Sequence, residues 1–253
     1  MRYKITLSYN GADFCGWQVQ PSAPSVQGTL EKALSTLLKA ETGVTGAGRT
    51  DTGVNAIGYV AHFDAVDGID CLQLRYKLNA ILPTSISVSE IAVADGSFHA
   101  RFDAKRRKYT YFLHRVKDPF AESFSYFYGY PDLDVEAMNR AAALLLGTHD
   151  FSSFEKTGGD NRTSICTIFS AAWSYYDPDI AANGSGTGTY LRFDICADRF
   201  LRNMVRAVVG TLLEVGRGKR SAESVTALLE ARDRCAAGES VPGHALFLSG
   251  IEY

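Results

Sequence analysis

Alternation opens the chain: Tyr3, Ile5 and Leu7 share one face and Lys4 and Thr6 the other, the pattern of a half-buried strand over residues 3–9. Asn10-Gly11 ends it as a turn. Ser25 stands where an N-cap belongs, and Leu30, Ala33, Leu34, Leu37 and Leu38 fall on one face of the helix after it. A short strand is expected at 44–47, interrupted by Gly46, and another at 58–64. Residues 71–80 read as a second helix with Leu74 and Leu78 inward, stopped before Pro83. Ile86, Val88, Ile91 and Val93 mark the strand that closes this half.

The remaining chain repeats the order. Tyr109, Tyr111 and Leu113 share one face of a strand over 108–113, and an Ala/Leu-rich helix follows at 134–146. Strands are expected at 165–176 and 190–196, the second with Leu191, Phe193 and Ile195 inward, joined by a hairpin tip at Gly184-Ser185-Gly186-Thr187-Gly188. A long helix over 200–215, a further helix over 221–231 and a last strand over 246–253 complete it. Both halves thus read strand–helix–strand–strand–helix–strand, with one helix added in the second, which is the ferredoxin-like order. The expected fold is α+β: two ferredoxin-like (βαββαβ) halves, residues 1–104 and 105–253, with antiparallel sheets side by side around a central cleft and helices on the outer faces. No linker stands out near residue 104, so the halves are expected to pack as one rigid body around a cleft of the kind that binds ligands.

Composition narrows the classes. A chain of 253 residues that is 46% hydrophobic can bury one large core or two smaller ones. With 21% charged residues and a formal net charge of −2, any basic surface for a nucleic acid must be local. Cys15, Cys71, Cys166, Cys196 and Cys235 are odd in number and scattered, with no CxxC pair, which points to reduced thiols in the cytoplasm. The start lacks the apolar run of a signal peptide, and no stretch of ~20 apolar residues offers a membrane span. The dispersed His residues predict no metal centre.

Three stretches carry candidate chemistry. In Gly48-Arg49-Thr50-Asp51-Thr52-Gly53-Val54-Asn55-Ala56, glycines bracket one carboxylate, and Arg49 sits two residues before it. Asn55 has a short polar side chain able to bond local backbone. The bland alternative is a Gly-rich turn in which Asp51 bonds its own backbone. In the long helix, Arg199, Arg202 and Arg206 fall at i, i+3 and i+7 and are expected on one face, with Asp198 able to offset Arg202. That face is either a solvated basic edge or, for Arg206 between Val205 and Val208, a cation in need of a carboxylate or phosphate such as Asp51. In His99 to Tyr111 five Lys or Arg stand against one Asp, with aromatics interleaved. Phosphates would favour the cations and bases could stack on the rings; otherwise this is a basic loop opening a strand with Tyr109 and Tyr111 in the core. His149, with no nucleophile set near it, is expected to be a structural hydrogen bonder.

Together GRTDTGVNA (48–56), FHARFDAKRRKYTY (98–111), GTHDFSSF (147–154), FLRNMVRAVVG (200–210) and the closing LFLSGIEY resemble, in order and over nearly the whole chain, the TruA family of bacterial tRNA pseudouridine synthases. The resemblance implies an isomerase that converts uridine to pseudouridine at positions 38, 39 and 40 of the tRNA anticodon stem-loop. It implies no cofactor or metal, and a homodimer in which one tRNA touches both subunits. By motif position Asp51 matches the catalytic aspartate, Arg206 the basic residue that pairs with it, and Tyr109 the tyrosine that packs on the target base. Arg49 matches the arginine that helps hold the flipped-out nucleotide, and Asn55, Arg101, Arg107, Arg202 and Leu246 are the further substrate-binding candidates on the matched motifs. The chain departs from the family at Asn55, where His is usual, at Cys166 before Thr167-Ile168, where Arg is usual, and at Ala245 before Leu246, where Gly is usual. These departures bear on RNA contacts and substrate range more than on the chemistry.

Two rival readings stand beside it. A non-catalytic ferredoxin-like module would display RNA on its sheet and have no need of Asp51. A glycosidase would need a second carboxylate, and none is fixed near Asp51 in the sequence.

Overall fold

The computed structural model describes residues 1–156, 158, 163–182 and 188–253. The chain forms two compact units, Met1–Arg106 with Phe247–Tyr253, and Arg107–Leu246. The first carries β1 (Arg2–Tyr9), α1 (Val26–Leu38), β2 (Val44–Gly46), β3 (Asn55–Asp64), α2 (Cys71–Ile81) and β4 (Ile86–Val93). There follow β5 (Arg106–His114), β6 (Tyr126–Phe127), α3 (Val135–Ala143), β7 (Gly147–Asp150), β8 (Ile165–Tyr175), β9 (Tyr190–Ala197), α4 (Met204–Gly216), α5 (Ser224–Ala231) and finally β10 (Leu246–Glu252). The result is a mixed α/β fold of sheets and helices.

In the first unit β1 lies between β4 and β3 and pairs antiparallel with both. Its alternation is realised: Tyr3, Ile5 and Leu7 are fully buried. Ser25 caps α1 by accepting from Gly28 N–H at 3.2 Å, and Leu30, Ala33 and Leu34 are buried, while Leu37 and Leu38 reach only the half-buried edge. Asp70 caps α2 in the same way, accepting from Gln73 N–H at 3.0 Å, with Leu74 and Leu78 inward. The Asn79 side chain of α2 both donates to Val88 O and accepts from Val88 N–H at 2.8 Å, so it ties helix to strand. Of the residues that mark β4, Ile86, Val88 and Ile91 are buried, while Val93 at its end is 59% exposed.

β3 is ten residues long, and two strands share its other edge. β2 pairs antiparallel with residues 61–63, and β10 pairs parallel at Phe247↔Asn55 and Leu248↔Ala56. The last strand, grouped in the sequence with the second half, is therefore bonded to β3, and the expectation of purely antiparallel pairing gives way to a parallel pair. No local pattern announces this, because a parallel neighbour arrives from a distant part of the chain. Lys105 N–H to Glu252 O at 2.7 Å and Tyr253 OH to Ala100 O at 2.8 Å hold β10 further.

In the second unit the sheet order is β5-β9-β8-β7, each neighbour antiparallel, with β6 beside β5 in parallel. Leu191, Phe193 and Ile195 point into the core. Residues 147–150, whose polar sequence carries no strand alternation, form the edge strand β7, where Thr148 and Thr167 bond across the ladder at 2.9 Å. In the expected hairpin tip, residues 184–187 lie outside the described residues. The long helix begins at Met204, not at 200, because Asn203 takes a left-handed conformation (φ 66°) that the helix cannot include. Arg199 and Arg202 therefore precede α4 and share no helical face with Arg206, which corrects the expected arginine stripe. α4 is buried on nearly every side, and Gly210 lets the Glu239 carbonyl approach to 1.8 Å from where a Cβ would stand. No helix among the described residues is long and apolar enough to cross a membrane.

Two histidines are buried. His114 is fully enclosed, its Nδ1 is 2.9 Å from Ser125 Oγ, and Glu122 lies 3.6 Å from its Nε2. His62 Nδ1 accepts from Ala100 N–H at 3.1 Å. Burial pushes both imidazoles below their ordinary value of 6.5; Glu122 and Asp118 work against the shift at His114, and Arg2 and His99 add to it at His62. The fold thus favours the neutral rings, and the unfolded chain takes up protons first. Stability from this source is complete above about pH 6.5 and is lost as pH falls through the lowered values. Thermal unfolding should show a melting temperature that drops between about pH 7 and 5.5, and His114→Leu should flatten that slope while lowering the melting temperature at neutral pH. A variant slope equal to that of the parent would contradict the account.

Candidate active site

Residues 47–54 join β2 to β3, and their shape is set by the segment that follows β1. Trp17 N–H donates to Thr50 O at 3.2 Å, Gly53 N–H to Phe14 O at 3.3 Å, and Val54 N–H closes a turn on Asp51 O at 3.1 Å. The Tyr9 hydroxyl bonds Thr50 Oγ1 at 2.8 Å in a buried contact. The Tyr59 hydroxyl donates to Gly48 O and accepts from Gly48 N–H at 3.3 Å. Beneath the loop Trp17 packs on Tyr59 with ring centres 4.1 Å apart, and Tyr9 meets Tyr59 edge-on at 5.7 Å. Gly46, read as a strand interruption, is where that floor comes closest: a Cβ there would lie 2.1 Å from the Tyr59 hydroxyl.

On this support Asp51 is half-buried, and Arg49 is exposed with its Nε donating to Gln18 Oε1 at 3.2 Å. Asn55 is only 1% exposed, and its Oδ1 accepts from Gly11 N–H at 2.8 Å. Sequence reasoning missed Tyr9, Gly11, Gly16, Trp17 and Tyr59. Asn10-Gly11 signalled only a turn, and nothing local links residues 9–17 to a loop some forty positions on.

Also in the first unit, residues 98–103 form a tight turn. Asp103 accepts from His99 N–H at 2.8 Å, so its carboxylate serves the turn. His99 stacks on Phe102 at 4.1 Å, and the Arg101 guanidinium lies 5.8 Å from the same ring, at the range of a cation–π contact. Phe102 is 74% exposed. Arg106 faces Glu252 at 3.7 Å.

The second unit carries the other candidates. Tyr109 is half-buried on β5 opposite Ile195, with Phe200 edge-on at 5.0 Å and 86°. Arg107 Nη1 donates to Asp198 O at 2.7 Å. Asp198 Oδ1 accepts the N–H groups of Thr167 and Arg199 at 2.8 and 2.7 Å, so this carboxylate organises backbone where an offset to Arg202 was expected. Asp194 faces both Lys108 at 3.5 Å and Arg192 at 3.2 Å, which offsets part of the basic segment. Arg202 is exposed in the turn before α4.

Arg206 is half-buried on the first turn of α4. Its Nε donates to Val241 O at 2.7 Å and its carbonyl accepts from Val241 N–H at 3.3 Å, which fixes the plane of the guanidinium. Gly238 N–H to Thr211 Oγ1 at 2.9 Å and Asn203 Nδ2 to Ser240 Oγ at 2.6 Å pin the same segment. Its continuation holds Leu246, 4% exposed, whose N–H donates to Gly243 O at 3.0 Å. Burial raises the Tyr111 phenol, whose hydroxyl donates to Pro242 O at 3.2 Å. A depression of about 500 Å³ in this unit is lined by His149, Asp150 and Arg232, and no expected site residue lines it. Among the described residues no three His, Cys, Asp or Glu side chains are grouped to hold a metal ion.

The family described as tRNA pseudouridine synthase matches residues 141–253. The chain is 48% identical to tRNA pseudouridine synthase A of Bacteroides thetaiotaomicron, over its whole length and 90% of that protein. It is 47% identical to the protein of that name from Bacteroides fragilis, over its whole length and 96% of the relative. For the Bacillus subtilis protein of that name the identity is 42%, covering all of this chain and 99% of the relative.

The close approach of the two loops makes a specific prediction. Gly16 has φ +88°, and a Cβ there would lie 2.3 Å from Thr50 O, whereas a Cβ at Gly48 meets nothing within 4 Å. Gly16→Ala should lower unfolding free energy by about 1–3 kcal/mol. Gly48→Ala should change it by less than about 0.5 kcal/mol. Urea denaturation checks both, and equal effects would count against the packing described.

Proposed function

This chain belongs to the tRNA pseudouridine synthase A family and isomerises uridine to pseudouridine in tRNA, and we propose that Asp51 is its nucleophile, acting at positions 38, 39 and 40 of the anticodon stem-loop. The observation that carries the assignment is the loop itself. A half-buried carboxylate sits on backbone held by bonds to residues 14 and 17, which is how a reactive group is kept from wandering.

The reaction breaks the bond from C1′ of the ribose to N1 of uracil, turns the base and rejoins it through C5. C5 loses its proton and N1 gains one, so no atoms enter or leave and stoichiometry requires no cofactor. The base must first leave the stack, at a cost of a few kcal/mol. Asp51 then acts as an ionised carboxylate toward an electrophilic carbon, C1′ of the sugar or C6 of the uracil. We assign Arg206 as the cation that orients this carboxylate; the bond of its Nε to Val241 O, which holds the guanidinium in place, supports the role. Tyr109 stacks on the uracil, and its hydroxyl relays the proton from C5. Leu246 forms part of an apolar wall that excludes water while the base is detached. Arg49 helps hold the flipped-out nucleotide, and Arg101, Arg107 and Arg202 meet the phosphate backbone; the exposure of Arg49, Arg101 and Arg202 suits those roles.

The finer fold and assembly belong to the same reading. Two ferredoxin-like halves are supported by the order β1-α1-β2-β3-α2-β4 with β4-β1-β3-β2 antiparallel in the first unit, and by β9 lying between β5 and β8 in the second. A cytoplasmic homodimer with one tRNA touching both subunits completes it. Light scattering of the protein alone should give twice the monomer mass, and a monomer at micromolar concentration would remove that part.

Tritium release from tRNA labelled at uridine C5 tests the chemistry. Asp51→Asn should lower the single-turnover rate by more than about a thousandfold while tRNA affinity stays within about threefold. Arg206→Ala should lower the rate by about a hundredfold. Near-normal turnover in Asp51→Asn would sink the nucleophile assignment. A purely affinity-based defect in Arg206→Ala would sink the role of the guanidinium.

A further inference from the structure

We propose that Asn55 is a positioning residue of the isomerisation, which acts through the main chain of Gly11 to hold the loop that carries Asp51; this rests on the assignment of Asp51 as nucleophile. By motif position Asn55, four residues after the nucleophile, is a candidate for substrate contact. Here it is 1% exposed and cannot touch a substrate without local unfolding. Its Oδ1 accepts from Gly11 N–H at 2.8 Å, and that contact is buried.

Gly11 is the point through which this bond acts. A Cβ there would stand 2.2 Å from Val54 O and 2.7 Å from Gly53 C, so its backbone presses directly on the end of the Asp51 loop. Without an acceptor at residue 55, a buried amide would be left unsatisfied at the tightest contact of the two segments, and the contact would loosen to readmit water. Further holds include Thr50 O to Trp17 N–H, Phe14 O to Gly53 N–H, and the Tyr9 hydroxyl on Thr50 Oγ1. Together they grip residues 50, 53 and 55, on both sides of Asp51. A misplacement of about 1 Å in a reacting group costs about a hundredfold in rate. A residue with this geometry therefore belongs to the rate of the chemical step and not to affinity.

The test compares Asn55→Ala, Asn55→Asp, Tyr9→Phe and Asp51→Asn in single-turnover tritium release and in tRNA binding. Asn55→Ala should slow the chemical step by about 10- to 100-fold with affinity within about threefold. Asn55→Asp keeps an acceptor oxygen at the same reach from the backbone and should recover most of that loss. An unchanged rate in Asn55→Ala, or a defect confined to affinity, overturns the proposal. Should Asn55→Ala fail to fold, Tyr9→Phe decides: it removes a second hold on the loop and should also slow the chemical step with affinity intact, and an unchanged rate overturns the proposal. Turnover surviving in Asp51→Asn instead removes the nucleophile assignment. An inactive Asp51→Asn beside a normal Asn55→Ala removes only the positioning role.

Discussion

The close seating of residues 10–17 against residues 48–54 is the constraint on which the first unit's chemistry depends. At Gly11 and Gly16 the two backbones come so near that a Cβ would collide with the Val54 and Thr50 carbonyls. Such an approach leaves no room for water between the segments, so each polar group there must be paired within the protein. It is: Thr50 O, Gly53 N–H and the Asn55 side chain each have a partner on the facing segment. The arrangement explains why a loop, ordinarily the mobile part of a fold, can present a carboxylate in a defined place.

A similar device operates in the second unit by different means. The segment from Gly238 to Leu246 is laid along α4 by bonds to Thr211, Asn203 and Arg206. Gly210 and Gly238 permit the approach, since a Cβ at either would meet backbone atoms of the other segment at under 3 Å. Arg206 is both a member of that lattice and the cation assigned to the chemistry. A guanidinium anchored through one nitrogen loses little further freedom when the rest of it engages an anion.

Much of the fold was legible because hydrophobic periodicity is a local property. Tyr3, Ile5 and Leu7, the face of α1 from Leu30 to Leu34, and Leu191, Phe193 and Ile195 are buried as their spacing implies. Caps were legible at Ser25 for the same reason, since donor and acceptor lie three residues apart. The start of α4 was not, because the apolar stripe runs on through Phe200 and Leu201 while a single left-handed residue, Asn203, delays the helix. β7 was hidden by its polar sequence, which suits an edge strand as well as a turn. Asp198 looked like a partner for Arg202, but accepts from its neighbour Arg199 N–H and from Thr167 N–H, which the ladder between β8 and β9 brings to it.

By itself the sequence determined most of the elements, most of their inward faces and the membership of a family. These follow from spacings within a few residues and from motifs that survive as strings. Tertiary structure alone decided that β10 bonds β3 in parallel, that Asn55 turns inward to Gly11, and that Tyr9, Trp17 and Tyr59 form the floor of the loop. Each of these joins residues far apart in the chain. Steric exclusion and the need to pair every buried amide choose such partners only once the backbone has closed around them.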